Sequence, residues 1–306
     1  MQNKTLDPSL FRVEFKAMAC ACEIVIAAIN ANEAENAMRL AVEEVQRIEK
    51  KYTRYKPSSI ISRINAAAGK DAIDCDEETL TLLNYADILY QESDGLFDIT
   101  SGVLRRAWDF KIAKLPDHDD IKALLELISW PDVERDNDTI RLPKEGMEID
   151  FGGFGKEYAT DRAITILSDN GIQSAYVNLG GDLRTIGPKP TGEEWVMGIV
   201  DPRKKGELIA SIPIATGALA TSGDYEKYFE LNGQRYSHLL SPQTGQPVNY
   251  WRSISIIAPL SITAGSYSTI AMLKEADGLA WLDSLGMAYF AIDHNGKVHQ
   301  KTTNKI

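Results

Sequence analysis

The chain has 306 residues, of which 44% are hydrophobic and 25% are charged, and its net charge at pH 7 is −11. This composition is ordinary for a globular protein, and the length allows a large core in one domain or two lobes. The excess of negative charge opposes binding to a nucleic-acid backbone, because short basic clusters such as residues 203–205 form no extended stripe. We therefore expect no nucleic-acid partner.

Membrane and export signals are absent from the sequence pattern. No apolar segment approaches the roughly 18 residues that a transmembrane helix requires. Residues 1–11 are polar and mixed in charge, without the basic start and apolar run of a secretory signal. These features predict a cytoplasmic location and no transmembrane segment.

The N-terminal third contains both strand and helix patterns. Apolar and polar residues alternate through parts of 11–27, which predicts a strand or a strand pair. Helical spacing of apolar residues over 32–52 and 78–92 predicts two amphipathic helices, with Gly95 closing the second. A shorter helix is predicted at 119–127.

The remainder of the chain mixes short strands with helices. The predicted elements are a strand at 139–151, a helix at 156–169, a strand at 174–179, short strands over 195–250, a strand at 253–258, and helices from about 264 and over 276–285. Strict βαβ alternation is weak, so the pattern favours an α+β fold of mixed sheets packed with helices.

The three cysteines do not form a disulfide framework. Cys20 and Cys22 are two residues apart in a strand pattern, so both side chains should point to one face. A Cys-x-Cys pair without a second Cys or His pair is weak evidence for zinc. Buried thiols are the favoured interpretation for these two residues and for Cys75.

The strongest local signal is Glu-Ile-Asp-Phe-Gly-Gly-Phe-Gly-Lys-Glu-Tyr at 148–158. A strand pattern enters a glycine-rich turn, and a helix leaves it with Lys156 in its first turn. Glycines allow close approach of a ligand to the backbone, and a helix start offers N–H donors to an anion. The glycine spacing fits neither a Walker A loop nor Gly-x-Gly-x-x-Gly. A tight structural turn with an exposed lysine is the alternative.

Further turns follow later in the sequence. Asn-Leu-Gly-Gly-Asp occupies 178–182, Thr-Ser-Gly-Asp-Tyr occupies 221–225, and Ser-Pro-Gln-Thr-Gly occupies 241–245. Of the four histidines, His238 alone lies between these turns, where it is a candidate general acid or base near neutral pH. A structural histidine in a strand is the alternative.

Residues 95–100 place an aromatic ring near charged groups. Phe97 and Asp98 are followed by Arg105, Arg106 and Trp108. This mixture suits a heterocyclic ligand, although it also occurs on ordinary protein surfaces. We find no Gly-x-Ser-x-Gly, no His-Glu-x-x-His and no paired-carboxylate pattern of a hydrolase.

Taken in order, these segments resemble the FAD:protein FMN transferase family, also called ApbE-type. The resemblance covers residues 12–290, and several ordered motifs are more specific than any one. The motifs are Phe-Lys-Ala-Met-Ala at 15–19, Ser-x-x-Ser-x-x-Asn at 59–65, Gly-x-Phe-Asp-x-Thr at 95–100, Asp-x-Gly-Gly-x-x-Lys at 150–156, Asn-x-Gly-Gly-Asp at 178–182, Ser-Gly-Asp-Tyr at 222–225, Tyr-x-His at 236–238 and Pro-x-Thr-Gly at 242–245.

The resemblance implies an α+β, T-fold-like architecture in two lobes. It divides the chain into an N-terminal tail at 1–11, a flavin transferase domain at 12–290 and a C-terminal strand and tail at 291–306. The implied reaction is metal-dependent transfer of FMN from FAD to a Thr or Ser hydroxyl of an acceptor flavoprotein, with release of AMP. The implied cofactors are FAD, as substrate, and Mg²⁺ at its diphosphate.

The resemblance also implies the site residues. The flavin or adenine pocket would be lined by Met18, Leu96, Phe97 and Asp98. The residues that contact the nucleotide would be Asp150, Gly153 and Lys156. The reacting end would be surrounded by Ser222, Gly223, Asp224, Tyr225 and His238, with Asp224 and His238 catalytic. The metal would be held by Gly155, through its carbonyl, and by Thr269.

One departure from the family pattern concerns the metal. Many members have Ala-Asp-Ala-x-x-Thr at the start of a late helix, and the Asp and Thr ligate magnesium. Here Gly265 replaces the Asp, while Thr269 remains. The metal is held without that carboxylate, or another carboxylate such as Asp224 supplies it, or it is absent. A second departure is Ser241, where Asp before Pro is common.

Three functions are therefore compared at the level of sequence. The ordered motifs favour the FMN transferase. Gly265 motivates a protein that binds FAD without transferring it. A pyrophosphatase that releases FMN and AMP is the third, since water can replace the acceptor hydroxyl.

Overall fold

The structure is a computed structural model that describes residues 9–302. Its strands are β1 Ser9–Ala17, β2 Cys20–Ala28, β3 Ile73–Asp74, β4 Glu134–Arg135, β5 Thr139–Arg141, β6 Ala175–Leu179, β7 Asp182–Ile186, β8 Trp195–Val200, β9 Leu208–Ile214, β10 Gly217–Gly223, β11 Tyr228–Leu231, β12 Gln234–Ser237, β13 Trp251–Ala258, β14 Ala288–Asp293 and β15 Val298–Lys301.

One antiparallel sheet forms the frame of the molecule. Its strand order is β1-β2-β6-β7-β10-β13-β14-β15. The remaining strands form a three-stranded sheet, β3-β5-β4, and the hairpins β8-β9 and β11-β12. Helices and antiparallel sheets are thus combined without βαβ alternation, which confirms the predicted α+β class.

Seven α-helices accompany the sheets in the described part of the chain. They are α1 Ala31–Tyr52, α2 Ile60–Ala66, α3 Glu77–Glu92, α4 His118–Leu125, α5 Gly155–Asp169, α6 Ser261–Leu273 and α7 Gly278–Ser284. Three 3₁₀ helices lie at 99–106, 130–132 and 275–277. No helix within residues 9–302 is both long and apolar enough to cross a bilayer.

Helix α1 follows its sequence pattern closely. Asn30 caps its N-terminus by accepting a hydrogen bond from Glu33 N–H. Its buried face contains Ala34, Ala37, Ala41, Val45 and Ile48, spaced three or four residues apart. The small alanines allow α1 to pack closely on α5, and both helices cover the sheet.

Helix α6 begins three residues before the predicted start near 264. The carboxylate of Asp161, on α5, accepts hydrogen bonds from the N–H groups of Ser261 and Ile262, both at 2.9 Å. Arg184 on β7 holds the same carboxylate at 3.0 Å. The cap comes from a residue 100 positions earlier, so no local pattern could reveal it.

Two other predictions about elements need correction. The strand predicted at 139–151 is limited to β5, because Pro143 offers no N–H and Gly146 turns the chain with a φ of +85°. Helix α2 was not predicted, although Ser59 caps it by accepting from Ser62 N–H. The division of the chain at residues 11 and 290 stays a prediction; β1 starts at Ser9 and β14 spans Ala288–Asp293.

Candidate active site

The glycine-rich turn leads directly into helix α5. Phe154 precedes the helix without a side-chain cap among the described residues. Gly155 N–H donates to Phe151 O at 2.6 Å, so the N–H groups that follow Gly155 in the first turn of α5 keep their capacity to bind an anion. Gly153 lies against Phe97, because a Cβ at Gly153 would be 2.7 Å from Cζ of that ring. Gly155 is the first residue of the helix. Gly153 is therefore needed for close packing at this turn.

Asp150 stabilises the turn before α5. Its carboxylate forms an ion pair with Arg54 and accepts a hydrogen bond from Gly152 N–H at 2.9 Å. Its own N–H donates to Ile99 O at 2.9 Å. Asp150 therefore lies beside the predicted nucleotide-binding turn, and both of its carboxylate oxygens have partners. The ion pair with Arg54 was not indicated by the sequence.

Lys156 lies in the first turn of α5 and points to the end of β6-β7. Its Nζ is 2.5 Å from Oδ2 of Asp182, which is 3% exposed. Burial opposes the charge on Lys156, but the carboxylates of Asp182, Glu157 and Glu226 together outweigh burial and raise the pKa of Lys156. Lys156 is thus a permanently charged group beside the Gly180–Gly181 turn.

Glu157 follows Lys156 and occupies the space beside Gly265. A Cβ built on Gly265 would lie 2.5 Å from Glu157 Cγ and 2.7 Å from its Oε1. Glu157 is only 7% exposed, and its Oε2 has no hydrogen-bond partner among the described residues. Burial, followed by the nearby charge of Asp182, raises the pKa of Glu157 well above its usual range. The side chain missing at 265 is replaced in space by a carboxylate from α5.

The face of α6 beyond Gly265 is lined with hydroxyl groups. Thr269 is one turn after Gly265, so both lie on the same face of the helix. The Thr269 hydroxyl is 2.9 Å from Ser222 Oγ, which is also 2.7 Å from Ser268 Oγ. The predicted residues Ser222 and Thr269 are therefore in direct contact.

Asp224 is held by two arginines. Arg203 donates to both of its carboxylate oxygens, at 2.7 and 2.6 Å, and Arg235 lies 3.5 Å away. The N–H of Asp224 donates to Arg252 O at 2.9 Å. A carboxylate in a bidentate pair with arginine is a poor proton acceptor. Asp224 is therefore better suited to position the 222–225 turn than to take up a proton.

His238 keeps one ring nitrogen without a partner. Its Nδ1 is buried and makes no hydrogen bond to any described residue, while its backbone N–H donates to Lys227 O at 2.9 Å. Burial, followed by the charges of Lys227 and Lys156, lowers the pKa of His238 to about 4. The imidazole is therefore neutral near pH 7 and has a nitrogen available to a ligand.

Gly223 and Tyr225 pack against each other in the same turn. A Cβ on Gly223 would lie 2.3 Å from Cε1 of the Tyr225 ring, so this position requires glycine. Burial, followed by the charge of Glu226, raises the pKa of Tyr225 to about 12, which keeps its hydroxyl protonated. Tyr225 also lines a cavity of about 790 Å³ between the β8-β9 hairpin and the sheet, together with Gly180 and Gly181.

Met18 forms the turn between β1 and β2. Its φ of +51° and that of Ala19, +61°, are left-handed, as a two-residue hairpin requires. Met18 N–H donates to Glu49 Oε1 at 2.7 Å. Next to the turn, the Sγ atoms of Cys20 and Cys22 are 3.7 Å apart on one face, as predicted.

Leu96, Phe97 and Asp98 lead into the 3₁₀ helix at 99–106. Leu96 is half-buried, and Phe97 is buried and stacks on Phe154. One oxygen of Asp98 accepts from Thr100 N–H and Oγ1–H at 2.7 and 2.6 Å. Its other oxygen accepts from Trp130 N–H at 3.1 Å. Asp98 is thus fully engaged inside the protein.

The structure brings one group of predicted residues together around α5 and α6. Glu157 on α5 lies beside Gly265 on α6, Thr269 contacts Ser222, and the Lys156 charge reaches His238 and Tyr225. Asp224 is adjacent in sequence but is turned toward its arginines. Within residues 9–302, no three His, Cys, Asp or Glu side chains form a metal-binding cluster. Any metal ligands must therefore include hydroxyls, backbone carbonyls or the substrate.

Comparison with known proteins decides the family. The sequence model described as "ApbE family" matches residues 18–291. The chain belongs to the ApbE family. An FAD:protein FMN transferase of Klebsiella pneumoniae is 32% identical over 232 residues, which is 74% of this chain and 72% of that protein. One from Salmonella typhimurium is 26% identical over 97% of this chain and 88% of its own length.

Solved ApbE structures share the fold. The ApbE protein of Thermotoga maritima has a TM-score of 0.88 and 30% identity, covering 96% of this chain and 97% of that protein. The apo flavinyl transferase ApbE of Pseudomonas stutzeri has a TM-score of 0.85 and 26% identity, covering 98% and 96%. The predicted family, fold and transferase class of enzyme are confirmed by these comparisons.

Sequence reasoning did not assign roles to Glu157 and Asp182. Both residues lie inside motifs that were recognised, immediately after Lys156 and after the Gly180–Gly181 turn. Gly265 is the sequence feature that could have indicated Glu157, because a glycine on a helix face that packs against other elements leaves room for another side chain. Which residue fills that room is visible only in three dimensions.

Proposed function

We propose that this ApbE-family chain transfers FMN from FAD to a Thr or Ser hydroxyl of an acceptor flavoprotein, with a bound Mg²⁺, in the cytoplasm. The observation that supports it most is Lys156, a charged group in the first turn of the uncapped helix α5. Backbone N–H donors and a lysine side by side suit a diphosphate. The relatives from Klebsiella pneumoniae and Salmonella typhimurium are named FAD:protein FMN transferases, which supports the transfer of FMN to a protein.

The reaction replaces the phosphoanhydride bond of FAD with a phosphoester bond to the acceptor. The acceptor hydroxyl attacks the phosphorus on the FMN side, its O–P bond forms, and the bond between the two phosphates breaks so that AMP leaves. The hydroxyl proton must go to a base. We assign this role to His238, because it is neutral and its Nδ1 has no partner in the described residues, whereas Asp224 is bound by Arg203.

Positioning of the diphosphate is assigned to the start of α5. Lys156 neutralises charge at the phosphates, and the first N–H groups of the helix bind their oxygens. The carbonyl of Gly155 and the hydroxyl of Thr269 are the hard oxygen ligands available to Mg²⁺, which would supply further charge neutralisation. The flavin or adenine contacts of Met18 and 96–98 remain predictions.

The experiment is incubation with FAD, Mg²⁺ and an acceptor domain that carries the target Thr. We expect AMP in equal amount to covalent flavin fluorescence on the acceptor in a denaturing gel. A Thr→Val acceptor is the matched control and should give neither product. AMP and FMN without acceptor would indicate a pyrophosphatase, and intact FAD with several acceptors and metals would refute transfer.

A further inference from the structure

Two buried carboxylates lie near one lysine at the start of α5. Lys156 lies 2.5 Å from Asp182, so its single positive charge faces two carboxylates, those of Asp182 and Glu157. Glu157 is the second carboxylate near Lys156, and it is only 7% exposed to solvent. Its Oε2 has no hydrogen-bond partner among the described residues. An unpaired buried carboxylate is strongly unfavourable unless it is protonated or binds a cation.

The groups around Glu157 carry oxygen atoms of the kind that bind hard cations. Its Oε1 lies 2.7 Å from the position of a Cβ on Gly265, so the carboxylate rests on the α6 face that carries Thr269. The groups that face it are Lys156 on its own helix, Asp182 on β7 and the buried hydroxyl of Tyr85 on α3. Apart from Lys156, which Asp182 already pairs, these groups bring no positive charge.

The glycine at 265 has a direct steric cause. An aspartate there would place its Cβ 2.5 Å from Glu157 Cγ, closer than real atoms approach. With Glu157 in its present rotamer, its carboxylate occupies the space beside Gly265, and an aspartate at 265 would require the Glu157 side chain to move. We propose that Glu157 is a carboxylate ligand of the divalent cation in this chain, in place of the aspartate expected at 265.

The identity of the cation rests on the proposed function. The assignment adds a carboxylate to the metal ligands named there. The loss of the aspartate does not weaken the metal site, because the carboxylate has moved from one helix to the facing one. The ligands contributed by the protein are then the Glu157 carboxylate, the Thr269 hydroxyl and the Gly155 carbonyl. All three ligands bind through oxygen, which suits Mg²⁺ or Mn²⁺.

The test measures metal binding directly. Mn²⁺ is titrated by electron paramagnetic resonance into the protein alone and into the protein with FAD, for the wild type and for Glu157→Gln. We expect Glu157→Gln to weaken Mn²⁺ binding by at least about tenfold, since one charged ligand is lost from a site with few. Asp169→Asn, an exposed change at the far end of α5, is the matched control and should leave the affinity unchanged.

A relocated pair provides the second variant. Glu157→Gly combined with Gly265→Asp should restore Mn²⁺ affinity to within about threefold of the wild type, because the carboxylate returns to α6. Equal Mn²⁺ affinity of Glu157→Gln and the wild type would overturn the proposal, as would the absence of Mn²⁺ binding in both conditions. FAD binding is followed separately by quenching of flavin fluorescence. If the wild type does not bind FAD, the proposed function is refuted, whereas the Mn²⁺ result on the protein alone still stands.

Discussion

Two regions that the family resemblance assigned to ligand binding differ in how their polar atoms are used. At 96–98, both oxygens of Asp98 accept hydrogen bonds from Thr100 and Trp130. Around the start of α5, Glu157 Oε2 and His238 Nδ1 are buried without partners among residues 9–302. Buried polar groups are normally satisfied, so folding explains the first region, whereas the second offers polar atoms to a ligand.

Asp98→Ala should have the largest effect on stability. Its removal leaves Thr100 N–H, Thr100 Oγ1–H and Trp130 N–H without their acceptor, and we expect the free energy of unfolding to fall by about 3 kcal/mol. Urea denaturation measures this change. Asp98→Asn, which keeps one oxygen, should lose less. Unchanged stability with lost FAD affinity would instead place Asp98 in the ligand site.

Gly265→Asp should destabilise the protein by about 2 kcal/mol, because its Cβ overlaps Glu157 in a closely packed space. Thermal unfolding without metal measures the change. Adding Glu157→Gly should remove most of the penalty, and the coupling between the two changes is obtained from the double-mutant cycle. Additive effects would show that the two positions do not compete for space.

Lys156→Ala should weaken FAD binding by about tenfold, or 1.4 kcal/mol, since one charge near the diphosphate is lost. Titration followed by flavin fluorescence gives the dissociation constant. Lys156→Arg keeps the charge and should retain most of the affinity. If the Ala variant binds FAD as the wild type does, the lysine serves only its ion pair with Asp182.

His238→Ala should remove about 2 kcal/mol of the change in unfolding free energy between pH 7 and pH 5. The folded-state pKa of about 4 lies below the usual 6.5, so the unfolded state binds the extra proton between these values. Wild-type stability is therefore lost as pH falls from 6.5 toward 4, and the variant should lose less. Unfolding free energies at pH 7 and pH 5 measure the difference.

The same variant separates binding from chemistry. If His238 accepts the proton, Ala should slow AMP formation more than it weakens FAD binding. Equal losses of rate and affinity would assign His238 to binding alone.

The sequence predicts those features whose causes are local. The buried face of α1 and its Asn30 cap can both be found from residue spacing. The start of α6 cannot, because Asp161 provides its cap from 100 residues away. The site shows the same limit: Lys156 follows from its motif, but the contact between Glu157 and Gly265 joins two helices that are far apart in sequence. Periodicity carries no information on such contacts.

The cap that Asp161 provides to α6 also affects biosynthesis. Residues 261–273 emerge from the ribosome more than a hundred positions after Asp161, so the Gly265–Thr269 face is missing while most of the chain already exists. Chains that end before residue 261 would contain Lys156 but lack the α6 face with Gly265 and Thr269. On the proposed function, such truncated chains should not retain flavin.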